Sequence, residues 1–214
     1  MKSILLIGLG RFGRYTAKKL NDLGHEVMAV DIQEQKVNAT LPFVTSAVIG
    51  DATDPEFLAT LGVDNYDVCI VAIGDDFQGS LVTTTLLKEA GARFVVSRAS
   101  QDVQQKLLLA NGADRVIYPE KQLAEWAAIR YSSDYILDYI AINDEFAVYE
   151  IEIPEKWIGR SLAELDLRRR CKINVVAVKQ GDSISHEVHP DEPLTGEQSL
   201  LVLARGDDLQ KSLR

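Results

Sequence analysis

The sequence predicts an α/β protein: a Rossmann-like, doubly wound parallel sheet followed by a second, smaller α+β C-terminal domain. Short apolar or β-branched runs alternate with amphipathic segments up to about residue 134, and the rhythm changes beyond about residue 135. A glycine follows four of the amphipathic segments. Strands that alternate with helices pair in parallel, because each crossover helix returns the chain to the same end of the sheet.

Six strands are predicted in the first part of the chain, since short apolar stretches are typical of strands covered on both faces. These strands are Ser3–Ile7, Glu26–Val30, Ala47–Ile49, Asp67–Ile73, Phe94–Ser97 and Arg115–Tyr118. The helices between and after them are predicted at Phe12–Leu23, Glu34–Leu41, Pro55–Leu61, Gln78–Glu89, Val103–Ala110 and Lys121–Tyr131. Residues that end helices in the left-handed conformation are predicted at Gly24, Gly62, Gly91 and Gly112.

The second part of the chain has the spacing of hairpins rather than of crossovers. Its predicted strands are Ala147–Ile153, Ile173–Lys179, Ser183–Val188 and Ser199–Ala204, with a short helix at Leu162–Leu165 and a final polar helix. The turn Gln180-Gly181-Asp182 separates the second of these strands from the third. We therefore predict one domain over residues 1–135 and another over residues 136–214.

Composition and charge exclude several classes of protein. The chain has 214 residues, with 23 basic and 32 acidic side chains and a formal net charge of −9, whereas a nucleic-acid-binding protein needs a basic face. Cys69 and Cys171 lack metal-ligand spacing, which favours a reducing cytoplasm. No stretch approaches the roughly eighteen apolar residues of a membrane span, and the apolar run Ile4–Ile7 is too short for a signal peptide. We expect a cytoplasmic protein that binds no nucleic acid.

The motif Gly8-Leu9-Gly10-Arg11-Phe12-Gly13 stands between the first strand and the first helix, where a G-x-G-x-x-G loop binds phosphate. Gly8 makes the tight turn, Gly10 lets the backbone approach a phosphate, and Gly13 packs the helix against the strand. Asp31 ends the second strand, where a carboxylate accepts both ribose hydroxyls and repels a 2′-phosphate. The loop and Asp31 together predict a nucleotide site.

Further candidates follow other strands of the predicted sheet. Arg11 is placed to pair with terminal phosphates, or to lie in solvent on the first turn of its helix. The segment Gly50-Asp51-Ala52-Thr53 follows the third strand, where Asp51 and Thr53 border the adenine, cap the next helix, or do both. Ile73 and Gly74 stand at the end of the fourth strand, beside the crevice, and the two aspartates that follow, Asp75 and Asp76, complement a helix dipole.

The sequence offers no second half of an enzyme active site. Tyr15 and Lys19 have the spacing of a dehydrogenase pair, but they lie on the first helix, away from the place where that chemistry occurs. His25, His186 and His189 have no spaced Ser, Cys or Asp partner, and the chain contains no Walker-type P-loop. A nucleotide site without catalytic groups predicts a sensor, and we expect no enzymatic activity.

Four segments together resemble the RCK (KTN) nucleotide-binding domains, which regulate potassium channels and transporters. They are Gly8–Gly13, His25-Glu26-Val27-Met28-Ala29-Val30-Asp31, Ile70-Val71-Ala72-Ile73-Gly74, and Gly112-Ala113-Asp114-Arg115-Val116-Ile117-Tyr118-Pro119-Glu120-Lys121. The resemblance covers nearly the whole chain, as an N-terminal nucleotide-binding RCK (TrkA-N) domain and a C-terminal module of the TrkA-C type. It is nearest to the KtrA/KtrC branch, the cytosolic gating subunits of Trk/Ktr potassium uptake systems.

This resemblance implies an octameric ring, built from dimers, that docks beneath a potassium-translocating membrane subunit of the TrkH/KtrB type. ATP and ADP would compete for the crevice and hold the ring in different shapes. The resemblance also implies that Arg11 reaches the γ-phosphate and that Glu120 helps to hold Mg²⁺ or another cation, although Glu120 can equally complement a helix dipole. Arg98 stands where relatives usually have lysine, and its charge is expected to serve nucleotide binding. The chain would then lie at the inner face of the cell membrane.

Three alternatives stay open. The crevice can prefer NAD⁺ or NADH, as in TrkA-like relatives, because Asp31 serves either adenosine ribose. An NAD-dependent oxidoreductase would need a catalytic side chain facing the nicotinamide. In some relatives the C-terminal domain binds cyclic di-AMP; the candidates here are Pro190 and Arg168, which stands in a run of four cations within Leu165–Lys172 that a solvated helix end also explains.

Overall fold

The six strands predicted in the first part of the chain pair as one parallel sheet. They are β1 (Ser3–Ile7), β2 (Glu26–Asp31), β3 (Ser46–Ile49), β4 (Val68–Val71), β5 (Val95–Arg98) and β6 (Arg115–Ile117). Their order is β3-β2-β1-β4-β5-β6, and every neighbouring pair is parallel. This order confirms the predicted Rossmann-like, doubly wound sheet. The direction in which successive strands are added reverses between β1 and β4. In open parallel sheets a crevice forms at this point, at the carboxyl ends of the strands.

The computed structural model describes residues 1–213. The chain divides into a first unit, Met1–Gln122, and a second unit that begins at Leu123. These units are divisions of the fold; the limits of the two functional domains, 1–135 and 136–214, stay a prediction.

The crossover helices of the first unit begin and end close to the predicted positions. They are α1 (Arg11–Asp22), α2 (Glu34–Thr40), α3 (Pro55–Thr60), α4 (Phe77–Glu89) and α5 (Asp102–Ala110), and α6 (Pro119–Tyr131) follows the last strand. All four glycines that were predicted to end helices have positive φ angles. The four glycines thus confirm the helix ends that the sequence predicted.

The core of the first unit is built on β1, because helices cover both of its faces. Leu5 lies in a cluster with Val30 and Val71, whereas its neighbour Leu6 packs with Ala17 on the opposite side. Both leucines are fully buried. Burying a leucine side chain stabilises a fold by about 1.5–3 kcal/mol, so these two side chains of β1 stabilise the packing on both faces of the sheet.

The second unit is an antiparallel sheet with small helices. Its strands are β7 (Ile136–Ala141), β8 (Phe146–Glu152), β9 (Asn174–Gln180), β10 (Ser183–Ser185) and β11 (Gln198–Arg205), in the order β10-β9-β11-β8-β7. Its helices after α6 are α7 (Leu162–Leu165), α8 (Leu167–Arg170) and α9 (Gly206–Leu213). β7 and α8 were not predicted from the sequence, and the strand predicted at Ser183–Val188 is longer than β10. β7 was missed because it is an edge strand whose apolar residue Ile140 is exposed, so it lacks the pattern of a covered strand.

At the junction between β1 and α1, the backbone of the first helical turn lies very close to the backbone of Gly8. Gly8 has a φ angle of +95° and donates its N–H to the carbonyl oxygen of Val30 over 2.8 Å. A Cβ atom on Gly13 would lie 1.9 Å from the carbonyl oxygen of Gly8. Only a residue without a side chain allows α1 to start this near to the strand.

We expect Gly13→Ala to destabilise the first unit by at least about 1–3 kcal/mol, because the added methyl group would overlap with backbone that cannot move aside cheaply. Gly10→Ala is the matched control. A Cβ on Gly10 would meet nothing within 4 Å, and its loss of capping propensity costs less than about 1 kcal/mol. Urea denaturation followed by circular dichroism measures both, and equal losses of stability would contradict this account of the junction.

Candidate ligand-binding crevice

A cavity of about 730 Å³ opens at the carboxyl ends of the parallel strands, at the point where the strand order reverses. Its lining includes twelve of the thirteen residues predicted to bind a nucleotide: Gly8, Gly10, Arg11, Phe12, Asp31, Asp51, Ala52, Thr53, Ile73, Gly74, Arg98 and Glu120. The thirteenth, Gly13, lies behind the loop against Gly8. The fold therefore brings the predicted residues to one place, while their binding role stays a prediction.

The glycine loop presents the start of α1 to this cavity. Gly10 is the N-cap of α1, and within residues 1–213 no side chain bonds to the helix start and no acidic residue lies in its first turn. The first N–H groups of a helix have no acceptor inside the helix, and with the helix dipole they attract an anion. Arg11 is the first residue of α1 and is exposed, so its positive charge lies at the rim of the cavity.

Asp31 joins the end of β2 to the glycine loop. Its side chain is almost fully buried, with the residue 7% exposed. One carboxylate oxygen accepts the N–H of Leu9 over 2.7 Å, and the other accepts the N–H of Gln33 over 2.9 Å. The ammonium group of Lys36 lies 3.7 Å from the first oxygen. The carboxylate is thus held rigidly at the cavity, and its remaining lone pairs suit ribose hydroxyls.

The loop after β3 does not cap the next helix, which was one of the roles predicted for Asp51 and Thr53. Asp51 accepts hydrogen bonds from the hydroxyl of Thr53 over 2.7 Å and from the Thr53 N–H over 2.9 Å. These bonds lower the pKa of Asp51 below its ordinary value. The helix cap is Asp54, which accepts the N–H of Glu56. The prediction that Asp51 or Thr53 caps the helix was therefore wrong. Asp54 lies between the turn Asp51–Thr53 and Pro55, the first residue of α3, and occupies the cap position.

Arg98 is the last residue of β5 and lines the cavity. Its guanidinium forms an ion pair with Glu120 and lies 5.8 Å from the centre of the Phe12 ring. A Cβ on Gly74 would be only 2.0 Å from an Nη atom of Arg98, so Gly74 makes room for the guanidinium. The position of Gly74 beside the crevice thus has a steric reason that the sequence did not reveal.

Glu120 lies in the first turn of α6, as predicted. A hydrogen bond from its own backbone N–H and the nearby Arg98 guanidinium lower the pKa of Glu120 by more than burial raises it. Within the described part of the chain, no three His, Cys, Asp or Glu side chains are grouped as they would be around a metal ion. In nucleotide sites Mg²⁺ commonly takes one or two carboxylates together with phosphate oxygens, and Glu120 supplies one such carboxylate. Cation binding by Glu120 stays a prediction.

Sequence reasoning missed several residues that line the cavity, notably Gln33, Lys36 and Thr83. Thr83 lies on α4, whose N-cap Asp76 accepts the N–H of Gly79 over 2.9 Å and so confirms the predicted helix-start role of Asp76. The available signal was spacing, since Asp76, Gly79 and Thr83 recur every three or four residues and therefore share one face of α4.

The candidates in the second unit are not gathered in the same way. A smaller cavity of about 290 Å³ has a lining that includes His189 and Glu192 but neither Arg168 nor Pro190. Arg168 is exposed on α8, and the carbonyl oxygen of Pro190 accepts the N–H of Ala163 over 2.8 Å. Cyclic di-AMP binding by this unit stays a prediction.

Fold and crevice together define a Rossmann-type ligand-binding unit followed by a small antiparallel unit. The model of the TrkA-N domain matches residues 4–119 and that of the TrkA-C domain matches residues 147–214. The chain therefore belongs to the family of proteins that combine a TrkA-N with a TrkA-C domain, which confirms the resemblance drawn from the sequence motifs.

Several relatives are similar over their whole length. The Ktr system potassium uptake protein C of Bacillus subtilis (strain 168) is 38% identical over 98% of this chain and 95% of its own. Protein A of the same system in that organism is 36% identical over 98% of this chain and 95% of its own, and protein A of Vibrio alginolyticus is 33% identical over 100% of this chain and 97% of its own. These relatives are named as potassium uptake proteins.

Solved structures show the same fold at low sequence identity. The GsuK channel superposes with a TM-score of 0.71 at 18% identity, over 98% of this chain and 38% of the longer channel chain. A GsuK channel described as bound to NAD gives a TM-score of 0.69, also at 18% identity, over 97% of this chain and 38% of the channel chain. None of the helices within residues 1–213 combines the length and apolar character that a membrane span requires.

We expect Asp31→Asn to lower the free energy of unfolding by about 1–3 kcal/mol, because an amide group can accept only one of the two backbone N–H groups and leaves the other unpaired. Lys36→Gln serves as the control, since a solvent-screened ion pair at 3.7 Å contributes less than about 1 kcal/mol. Chemical denaturation of both variants checks this, and a larger loss for Lys36→Gln than for Asp31→Asn would refute the assigned structural role of Asp31.

Proposed function

We propose that this chain is a nucleotide-sensing regulatory subunit of a potassium uptake system, and that its crevice binds ATP and ADP. The observation that carries the proposal is the gathering of the glycine loop, Asp31, Arg98 and Glu120 around one cavity at the switch point of the sheet. The full-length similarity to Ktr potassium uptake proteins supports the same role. In this proposal residues 1–135 bind the nucleotide and residues 136–214 form the C-terminal regulatory domain.

In this proposal each part of the nucleotide meets a different group of the lining. Asp31 receives the ribose hydroxyls, and the segment Asp51–Thr53 borders the adenine. The uncapped start of α1 receives the phosphates through backbone N–H groups. Arg11, exposed at the rim, reaches the γ-phosphate, and Glu120 helps to hold Mg²⁺ or another cation beside the phosphates.

Regulation then requires only that ATP and ADP bind two states of an assembly with different affinities. The assembly we propose is an octameric ring of dimers beneath a TrkH/KtrB-like potassium-translocating membrane subunit, with the chain on the cytoplasmic side. One additional phosphate at Arg11 would contribute roughly 1–3 kcal/mol per site, the usual scale of allosteric coupling. The proposed role is regulatory rather than catalytic, in keeping with the relatives named as potassium uptake proteins.

NAD(H) is the second candidate ligand, because one feature of the cavity favours it. The lining continues past the glycine loop to Gly79 and Thr83 on α4, beyond the groups assigned above to the adenosine, the phosphates and the cation. One GsuK channel is described as bound to NAD and another as bound to ADP, but at 18% identity these structures establish the fold alone.

A thermal-shift series with ATP, ADP, NAD⁺ and NADH at matched concentrations tests the ligand. A ligand stabilises the native state by RT ln(1 + [L]/Kd), which is about 2.7 kcal/mol at 100 times Kd. We expect ATP and ADP to raise Tm more than either dinucleotide. If NAD⁺ or NADH raised Tm more than ATP and ADP did, the site would be assigned to NAD(H). If none of the four raised Tm, nucleotide binding would be refuted.

We expect Arg11→Ala to weaken ATP by about tenfold and ADP by much less, because only ATP has the phosphate that the guanidinium reaches. Arg14→Ala is the matched control, since Arg14 is also exposed on α1 and does not line the cavity. Isothermal titration calorimetry with both nucleotides measures the ratio. Equal losses for ATP and ADP would contradict the assignment of Arg11 to the γ-phosphate.

A further inference from the structure

The two members of the ion pair between Arg98 and Glu120 differ in how firmly they are held. Arg98 is the last residue of β5, and Glu120 lies in the first turn of α6. The Arg98 side chain is 19% exposed, whereas the Glu120 side chain is 57% exposed. The carboxylate is therefore open to solvent and can turn to another partner, while the guanidinium is largely covered.

Three contacts fix the guanidinium of Arg98. Within residues 1–213, its one hydrogen bond goes to a carboxylate oxygen of Glu120. One of its Nη atoms is 2.0 Å from the position that a Cβ on Gly74 would occupy, and its Cζ atom is 5.8 Å from the centre of the Phe12 ring. Phe12 is the second residue of α1, and it lines the crevice together with Arg98. The positive charge of Arg98 therefore lies near the first turn of α1.

Glu120 carries one negative charge, and the guanidinium already neutralises it. A divalent cation on the same carboxylate would lie within a few ångströms of the guanidinium. Like charges at such short range repel each other, and they do so more strongly in a partly covered site than in bulk water. Arg98 and a divalent cation are therefore expected to compete for Glu120 rather than to bind to it together.

We propose that Arg98 and the divalent cation that accompanies the nucleotide are alternative partners of Glu120, so that Arg98 sets how strongly nucleotide binding depends on the cation. The inference rests on the proposed function and concerns the regulation of that same crevice. Without the cation, Glu120 stays on Arg98, and the guanidinium is the chain's own positive charge beside the phosphates. With the cation, Glu120 turns away from Arg98, and the loss of the ion pair offsets part of the gain in affinity that the cation provides.

The test measures how much Mg²⁺ strengthens ATP binding to the full chain. Isothermal titration calorimetry gives Kd for ATP in EDTA and Kd for ATP in saturating Mg²⁺, and the first value divided by the second is the cation ratio. The variants are Arg98→Met, which removes the charge and keeps an unbranched side chain, Glu120→Gln, and the two combined. Arg115→Met is the matched control, because Arg115 is exposed on β6 and does not line the crevice.

We expect Arg98→Met to raise the cation ratio by about tenfold, because ATP must then bind beside an unpaired carboxylate when Mg²⁺ is absent. Glu120→Gln should lower the ratio, since it removes a carboxylate from the cation. In the Glu120→Gln background, Arg98→Met should change the ratio by less than about twofold, because residues that act through one contact are not additive. Arg98→Lys should restore most of the natural ratio, and Arg115→Met should leave it unchanged.

Arg98→Gln removes the same charge with a polar side chain, and it keeps the inference testable if Arg98→Met does not fold. An unchanged cation ratio in the charge-removing variants would overturn the inference. An equal rise with and without the Glu120 carboxylate would also overturn it, because Arg98 and Mg²⁺ would then compete for the phosphates and not for Glu120.

The same titrations separate this inference from the proposed function. If the natural chain bound ATP equally well in EDTA and in Mg²⁺, and Arg98→Met did the same, nucleotide binding would stand and the competition for Glu120 would be refuted. If the natural chain bound ATP under neither condition, the proposed function would fail first and the inference with it.

Discussion

The contact between Gly13 and the carbonyl oxygen of Gly8 is the constraint on which the rest of the crevice depends. With no Cβ between them, α1 begins directly against the end of β1. The uncapped N–H groups of that helix therefore face the point where the strand order reverses. Asp31 reinforces the arrangement, because its carboxylate accepts the N–H of Leu9 inside the loop. One steric contact and one hydrogen bond thus fix the loop relative to two strands.

Two charged side chains of the crevice, Asp31 and Arg98, are held in place by other groups of the chain. Asp31 is held by two backbone N–H groups, and Arg98 is paired with Glu120. A site arranged in this way needs little reorganisation when a ligand enters, because its side chains already occupy fixed positions.

The local sequence pattern was sufficient to predict the secondary structure wherever a strand is covered on both faces or a helix ends in a left-handed glycine. β1 is apolar at four consecutive positions because both its faces are buried, and Gly62 has the positive φ angle expected of a helix end. Pattern failed at the sheet edge, where β7 exposes Ile140, and at α3, where Asp54 rather than Asp51 or Thr53 caps the helix. At α3 the outcome depends on a shift of one residue in the position of the helix start. At β7 it depends on whether another element covers the face of the strand.

The sequence by itself determined the order of strands and crossover helices in the first unit, the glycine loop with Asp31 and the family, because these depend on residues near one another in the chain. It could not determine that the Arg98 guanidinium lies against Gly74 and also pairs with Glu120, since these residues come from three different strand ends. Nor could it show that Gln33, Lys36 and Thr83 are among the residues that line the crevice. Such relations arise only when the parallel strands pair and bring their carboxyl ends together, because the distances involved are set by the sheet and not by the chain.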